Sequence, residues 1–258
     1  MRIGFITDLS EADFKFAADN DFPCVEYNCA NKPDVIERLP ELKRLVKKYG
    51  VPFSMIGLFG PNYISENSEE ARQHKEGALR LIDFCAELGA PLMTTGGGLL
   101  ESKSAEEQAK RVIPILSDLV AHGKKRGVKV AVYNCHWTNF IIGPQAWQAV
   151  HTQIPDLGIK YDPSHCIYDG NDYLAEARDW GNRFYHVHAK GSLIIGGQRF
   201  EDPPAGMDQT NWGALIAVLY HHNFAGDIVI EPHSGTWLGE RRQAGILIAR
   251  RHLAQFIC

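Results

Sequence analysis

The sequence predicts a single (β/α)8 barrel, an α/β domain spanning residues 1–258. Short β-rich runs alternate with longer helical patterns from one end of the chain to the other, which is how βα units around a parallel sheet read in sequence. The runs number eight, as many as a closed barrel needs. The first run is followed by Asp8-Leu9-Ser10-Glu11 and not by the glycine-rich phosphate turn that usually opens a doubly wound open sheet. A length of 258 residues is ordinary for one such barrel.

Taken in order, the strands are expected at residues 3–7, 24–28, 53–57, 92–95, 129–134, 157–162, 184–189 and 227–231. Each run is built from β-branched, aromatic or other apolar residues, Ile228-Val229-Ile230 being typical. The segments between them carry helix punctuation. Ser104 followed by Glu107 reads as a capping box, and Pro144 suits a first helical turn. Gly50, Gly89 and Gly127 fall where C-terminal caps belong, the last directly after the basic turn Lys124-Lys125-Arg126. The final helix is expected over residues 244–257. Residues 190–208 contain Gly196-Gly197 and Pro203-Pro204 and are too long for a plain connection, so they read as a lid or substrate loop.

A net charge of −4 supplies no basic field for nucleic acid. No apolar run approaches the roughly 20 residues that cross a bilayer. With no secretory signal at Met1-Arg2-Ile3, the expected location is the cytoplasm and the six cysteines read as reduced thiols. A homo-oligomer is compatible with the sequence, and nothing in it sets the number of copies.

Barrel active sites lie at the C-terminal ends of the strands, and polar clusters collect there on the last four: Asn134-Cys135-His136, Asp162-Pro163-Ser164-His165, His186-Val187-His188-Ala189-Lys190 and Glu231-Pro232-His233. Neighbouring strands are about 4.8 Å apart, which lets Asp162, His188 and Glu231 from three consecutive strands converge on one cation. Four such clusters on successive strands favour a metal or catalytic mouth, because buried charges are costly unless paired or metal-bound. The aromatics Trp137, Phe140, Tyr168 and Trp237 fall on loops after strands, where an apolar ring face can stack on a ligand and exclude water.

At these residues, and in Cys24-Val25-Glu26-Tyr27, Thr95-Gly96-Gly97-Gly98 and Pro203-Pro204-Ala205-Gly206, the chain resembles the sugar phosphate isomerase/epimerase family of xylose isomerase-like barrels. The resemblance implies one divalent metal ion, Mn2+ or Mg2+ first and Co2+ or Zn2+ next, held by Asp162, His188 and Glu231. Asn134, whose amide oxygen can still bind a hard cation, is the fourth metal-site residue, in the place where that family carries a glutamate. With an amide there the ligand shell loses one negative charge. Metal affinity should fall, and the ion should become a stronger Lewis acid. An amide also cannot accept a proton as a carboxylate does, which leaves Glu231 as the one base.

The function implied is a metal-dependent sugar isomerase or epimerase. Glu231 removes a proton beside a carbonyl, His165 and Lys190 assist, and Glu26, His136, Arg199 and Trp237 are candidate substrate contacts. His186 and His233 read as supporting residues. The lost carboxylate keeps two other readings open: a lyase that dehydrates a keto-cyclitol or ketosugar on the same scaffold, and a sugar-binding barrel without catalysis. The substrate, and whether it is phosphorylated, lies in loop shapes that the sequence does not display.

Overall fold

A computed structural model describes residues 1–258. In chain order its strands are β1 (Arg2–Ile6), β2 (Val25–Ala30), β3 (Phe53–Phe59), β4 (Leu92–Thr95), β5 (Lys129–Tyr133), β6 (Leu157–Tyr161), β7 (Phe184–Ala189), β8 (Leu193–Ile195), β9 (Gln198–Glu201) and β10 (Asp227–Ile230). Eight of them form a closed barrel in the order β1-β10-β7-β6-β5-β4-β3-β2, and β8 and β9 make a separate two-stranded sheet. The helices are α1 (Glu11–Asp19), α2 (Leu39–Tyr49), α3 (Ser68–Leu88), α4 (Ala105–Arg126), α5 (Pro144–His151), α6 (Pro163–Tyr168), α7 (Tyr173–Trp180), α8 (Trp212–His221) and α9 (Arg242–Ala254). All eight strands expected from the sequence are barrel strands, so the chain folds as a (β/α)8 TIM barrel. No helix is long and apolar enough to cross a membrane.

The chain divides into two compact units. One joins Met1–Ile6 to Tyr161–Cys258 and the other is Thr7–Lys160. In the first, β10 runs parallel between β1 and β7. The Arg2 guanidinium grips the Asp227 carboxylate at 2.8 and 2.6 Å, fixing where β1 and β10 start together. In the second, β2, β3, β4, β5 and the first residues of β6 run parallel in unbroken succession.

The helix ends follow their local chemistry. Ser104 and Glu107 form the reciprocal capping box of α4, and Pro144 opens α5. Gly50, Gly89 and Gly127 close α2, α3 and α4 in the left-handed conformation. Several boundaries depart from the sequence reading, among them β3, which runs on to Phe59, and the final helix, which covers Arg242–Ala254 and not 244–257. β2 continues to Ala30 because Tyr27, Asn28 and Cys29 all pair with β3 before the turn at Asn31. Residues 190–208 hold the β8–β9 hairpin, whose turn uses the positive φ of Gly196 and Gly197. Those strands are three and four residues long, too short to show a period. The base of the hairpin is tied by Asp208, whose carboxylate accepts from Ser192 N, Gly206 N, Thr210 N and Trp212 Nε1 at 3.0 to 3.1 Å.

Candidate functional site

The Asp-Pro-Ser-His segment after β6 builds its own geometry. Asp162 is the N-cap of α6, with Oδ1 accepting from Ser164 N at 2.9 Å, and Pro163 takes the first helical position, where its missing N–H is no loss. The cap fixes the carboxylate at the strand end with no exposure to solvent. One turn on, the His165 ring comes back to it, Nε2 lying 3.4 Å from Asp162 Oδ2.

On β7, alternation puts His186, His188 and, just past the strand, Lys190 on one face. The His186 and His188 rings meet edge to face at 5.6 Å, both about 1% exposed. Glu231 follows the last residue of β10, and its backbone N–H still bonds to Ala189 O, which carries the carboxylate alongside His188. His188 Nδ1 and Glu231 Oε2 are 2.7 Å apart. One ligand atom each from Asp162, His188 and Glu231 lies within 4.8 Å of the others. Donors about 2.0 to 2.2 Å from a shared cation are separated by roughly 3 to 4 Å, so two carboxylates and an imidazole so placed fit a divalent ion.

Lys190 Nζ stands 3.2 Å from Asp162 Oδ2 and 4.0 Å from Glu231 Oε1. Burial pushes its pKa down, but the charges of Asp162, Glu231 and Asp202 outweigh burial and hold it above the ordinary lysine value. The ammonium thus offsets part of the negative charge of the two carboxylates.

A second cluster lies on the strand side of the hairpin. Asp202, 2% exposed at its side chain, accepts from the Tyr168 hydroxyl and the Arg199 guanidinium, and His233 Nδ1 lies 2.5 Å from its carboxylate. Burial would raise its pKa, but His233, Arg199 and Tyr168 hold it down at about 2. Arg199 stacks over the Tyr168 ring at 4.5 Å. It is therefore engaged with its own protein. Asp202 was not singled out in the sequence, where an Asp before Pro203-Pro204 gives no sign that three other segments will meet on it. Trp237 is half-buried and lines a narrow pocket with Glu231, His233, Pro203 and Pro204.

In the other unit, Asn134 follows the last residue of β5 and is 1% exposed, while His136 is exposed. Glu26 is fully buried, and Asn28 Nδ2 donates to its Oε1 at 2.7 Å. With β2 running to Ala30, Glu26 is the second residue of its strand and not the last. The six cysteines are free thiols.

The family model described as xylose isomerase-like TIM barrel matches residues 14–255. Uncharacterized protein YfiH of Bacillus subtilis (strain 168) is 26% identical over 167 residues, covering 56% of this chain and 52% of that protein. The chain thus spans about half the length of this curated relative. Among solved structures, the IOLI protein with a binding zinc atom superposes with a TM-score of 0.82 at 14% identity, covering 100% of this chain and 98% of that one. The D-allulose 3-epimerase from Methylomonas sp. in complex with D-allulose gives 0.80 at 16% identity, covering 99% and 96%. At these identities the likeness is one of fold.

Proposed function

Because the chain belongs to the xylose isomerase-like TIM barrel family, we propose that it is a sugar isomerase or epimerase whose Glu231 takes a proton from the carbon beside a carbonyl, with a divalent cation held by Asp162, His188 and Glu231. The observation that carries this reading is the convergence of those three side chains within 4.8 Å. One solved structure of the same fold holds zinc and another is in complex with D-allulose. The bound cation would polarise adjacent substrate oxygens and favour the enediolate.

The residues divide the remaining work. Glu231 is the most accessible of the three, with 19% of its side chain exposed against 1% for His188. His188 lies against its Oε2 and Lys190 stands 4.0 Å from its Oε1, and this carboxylate is the group that receives the proton. Lys190 stands beside both carboxylates and stabilises negative charge that develops there. His165, tethered to Asp162, is placed to hydrogen-bond a substrate hydroxyl. Asn134, with no proton-accepting oxygen of carboxylate basicity, leaves a single base. That favours reactions returning a proton to the same face, and it also admits β-elimination of a hydroxyl from a keto-cyclitol or ketosugar.

The test is proton exchange in heavy water with added Mn2+ across a panel of ketoses, followed by NMR. Deuterium is expected at the carbon beside the carbonyl, with exchange at least about 100-fold slower in Glu231→Gln, as for loss of a catalytic base. Isomerisation keeps the molecular formula and elimination yields an enone, which separates the two chemistries. A protein that binds sugar without exchanging any proton would be a binding barrel, contrary to the proposal.

A further inference from the structure

One buried carboxyl lies outside the mouth and has no part in this reading. Glu176, on α7, is 7% exposed. By strand alternation Tyr161, the residue before Asp162, turns to the helix side, where its hydroxyl bonds to Tyr173 O at 3.1 Å and to Glu176 Oε2 at 3.0 Å. The Tyr161 ring stacks on Phe184, the first residue of β7, at 4.4 Å. On α6, the thiol of Cys166 is 4% exposed and bonds to the same Glu176 carboxyl. Burial raises the Glu176 pKa, and the bonds from Cys166 and Tyr161 take back only part of that rise.

Glu176 therefore brackets the turn that carries Asp162 and His165. One of its bonds goes to the residue before Asp162 and the other to the residue after His165. The bracket matters because α6 is six residues long, less than two turns, and a helix so short depends on tethers to keep its shape. Within it, Asp162 Oδ1 caps Ser164 N and His165 Nε2 lies against Asp162 Oδ2. α7 is itself a fixed platform: Asp172 caps its start, and Tyr173 Oη accepts from the N–H of Asn211, the cap of α8.

A leucine in place of Glu176 would fill the space with less desolvation cost, but it would offer no acceptor to either donor and so would not set their direction. We propose that Glu176 is a positioning residue for the metal site: by holding Tyr161 and Cys166 it fixes the aim of the Asp162 carboxylate and the His165 ring. This rests on the metal-dependent function proposed above and adds to it a support on the helix side of the barrel wall.

Two measurements test it on wild type, Glu176→Leu and Glu176→Gln. The first needs no metal: amide hydrogen exchange by NMR, read at the Ser164 N–H that Asp162 caps. Exchange there is expected to be about tenfold or more faster in Glu176→Leu, with the amides of β7 and β10 unchanged. Glu176→Gln keeps an oxygen for Cys166 and an N–H for Tyr161 Oη, and is expected to protect Ser164 as wild type does. The second is Mn2+ affinity by equilibrium dialysis, expected to fall about tenfold or more in Glu176→Leu, as when a group that orients a metal ligand is removed, and to be largely kept in Glu176→Gln. Equal protection of Ser164 in all three proteins overturns the proposal. So does faster exchange spread alike over β7 and β10, or an unchanged Mn2+ affinity in Glu176→Leu, since Glu176 would then serve the fold alone. Should Glu176→Leu not fold, Tyr161→Phe removes only the hydroxyl and is read in the same way. Failure of the functional reading shows differently, as wild-type protein that takes up no metal and exchanges no substrate proton, and the metal-free exchange at Ser164 then decides the role of Glu176 by itself.

Discussion

At the scale of single residues, the site depends on how charge is distributed around Asp162 and Glu231. Asp202 gives a pH test. Its folded pKa of about 2 lies below the usual carboxylate value near 3.9. The stability it contributes is therefore complete above pH 4 to 5 and is lost as pH falls through about 2. The melting temperature of Asp202→Asn should accordingly lie below wild type at pH 7 and approach it between pH 4 and pH 2. A gap that stays constant over that range would show that Asp202 contributes through shape and not through charge. The two aspartates also differ in how plainly they read in sequence. Asp162 announces itself because cap, proline and His165 are contiguous, whereas Asp202 draws its partners from Tyr168, Arg199 and His233, a convergence that no local pattern encodes.

At the scale of elements, local chemistry set the boundaries wherever it was strong. The capping box of α4 and the three glycine caps stand where the sequence places them. The β8–β9 hairpin did not show itself, since its strands are short and its fixing point, Asp208, bonds to backbone and side-chain groups on both sides of it. The turn from α4 into β5 yields a further expectation. Val128 N donates to Gly123 O at 2.9 Å, and a Cβ on Gly123 would stand 2.4 Å from Val128 O. Backbone cannot step aside there as a side chain would. Gly123→Ala should destabilise the protein by about 1 to 3 kcal/mol, although alanine is the better helix former by about 1 kcal/mol. Urea unfolding measures this, and a neutral or stabilising result would mean that the turn yields.

At the scale of the whole molecule, eight βα units read directly from the alternation of strand and helix patterns, because each unit repeats the same local signals and closure of the sheet follows from their number. What periodicity leaves open is chemistry, which depends on which strand ends carry reactive groups. Asp162 follows β6, His188 lies near the end of β7 and Glu231 follows β10. The central claim is that these three side chains hold one divalent cation, and equilibrium dialysis against Mn2+ with metal analysis tests it most directly. One ion per chain is expected for wild type, with binding lost in Asp162→Asn and in Glu231→Gln while both variants keep the wild-type circular dichroism. Folded wild-type protein that takes up no Mn2+, Mg2+, Co2+ or Zn2+, or variants that bind as wild type does, would contradict it.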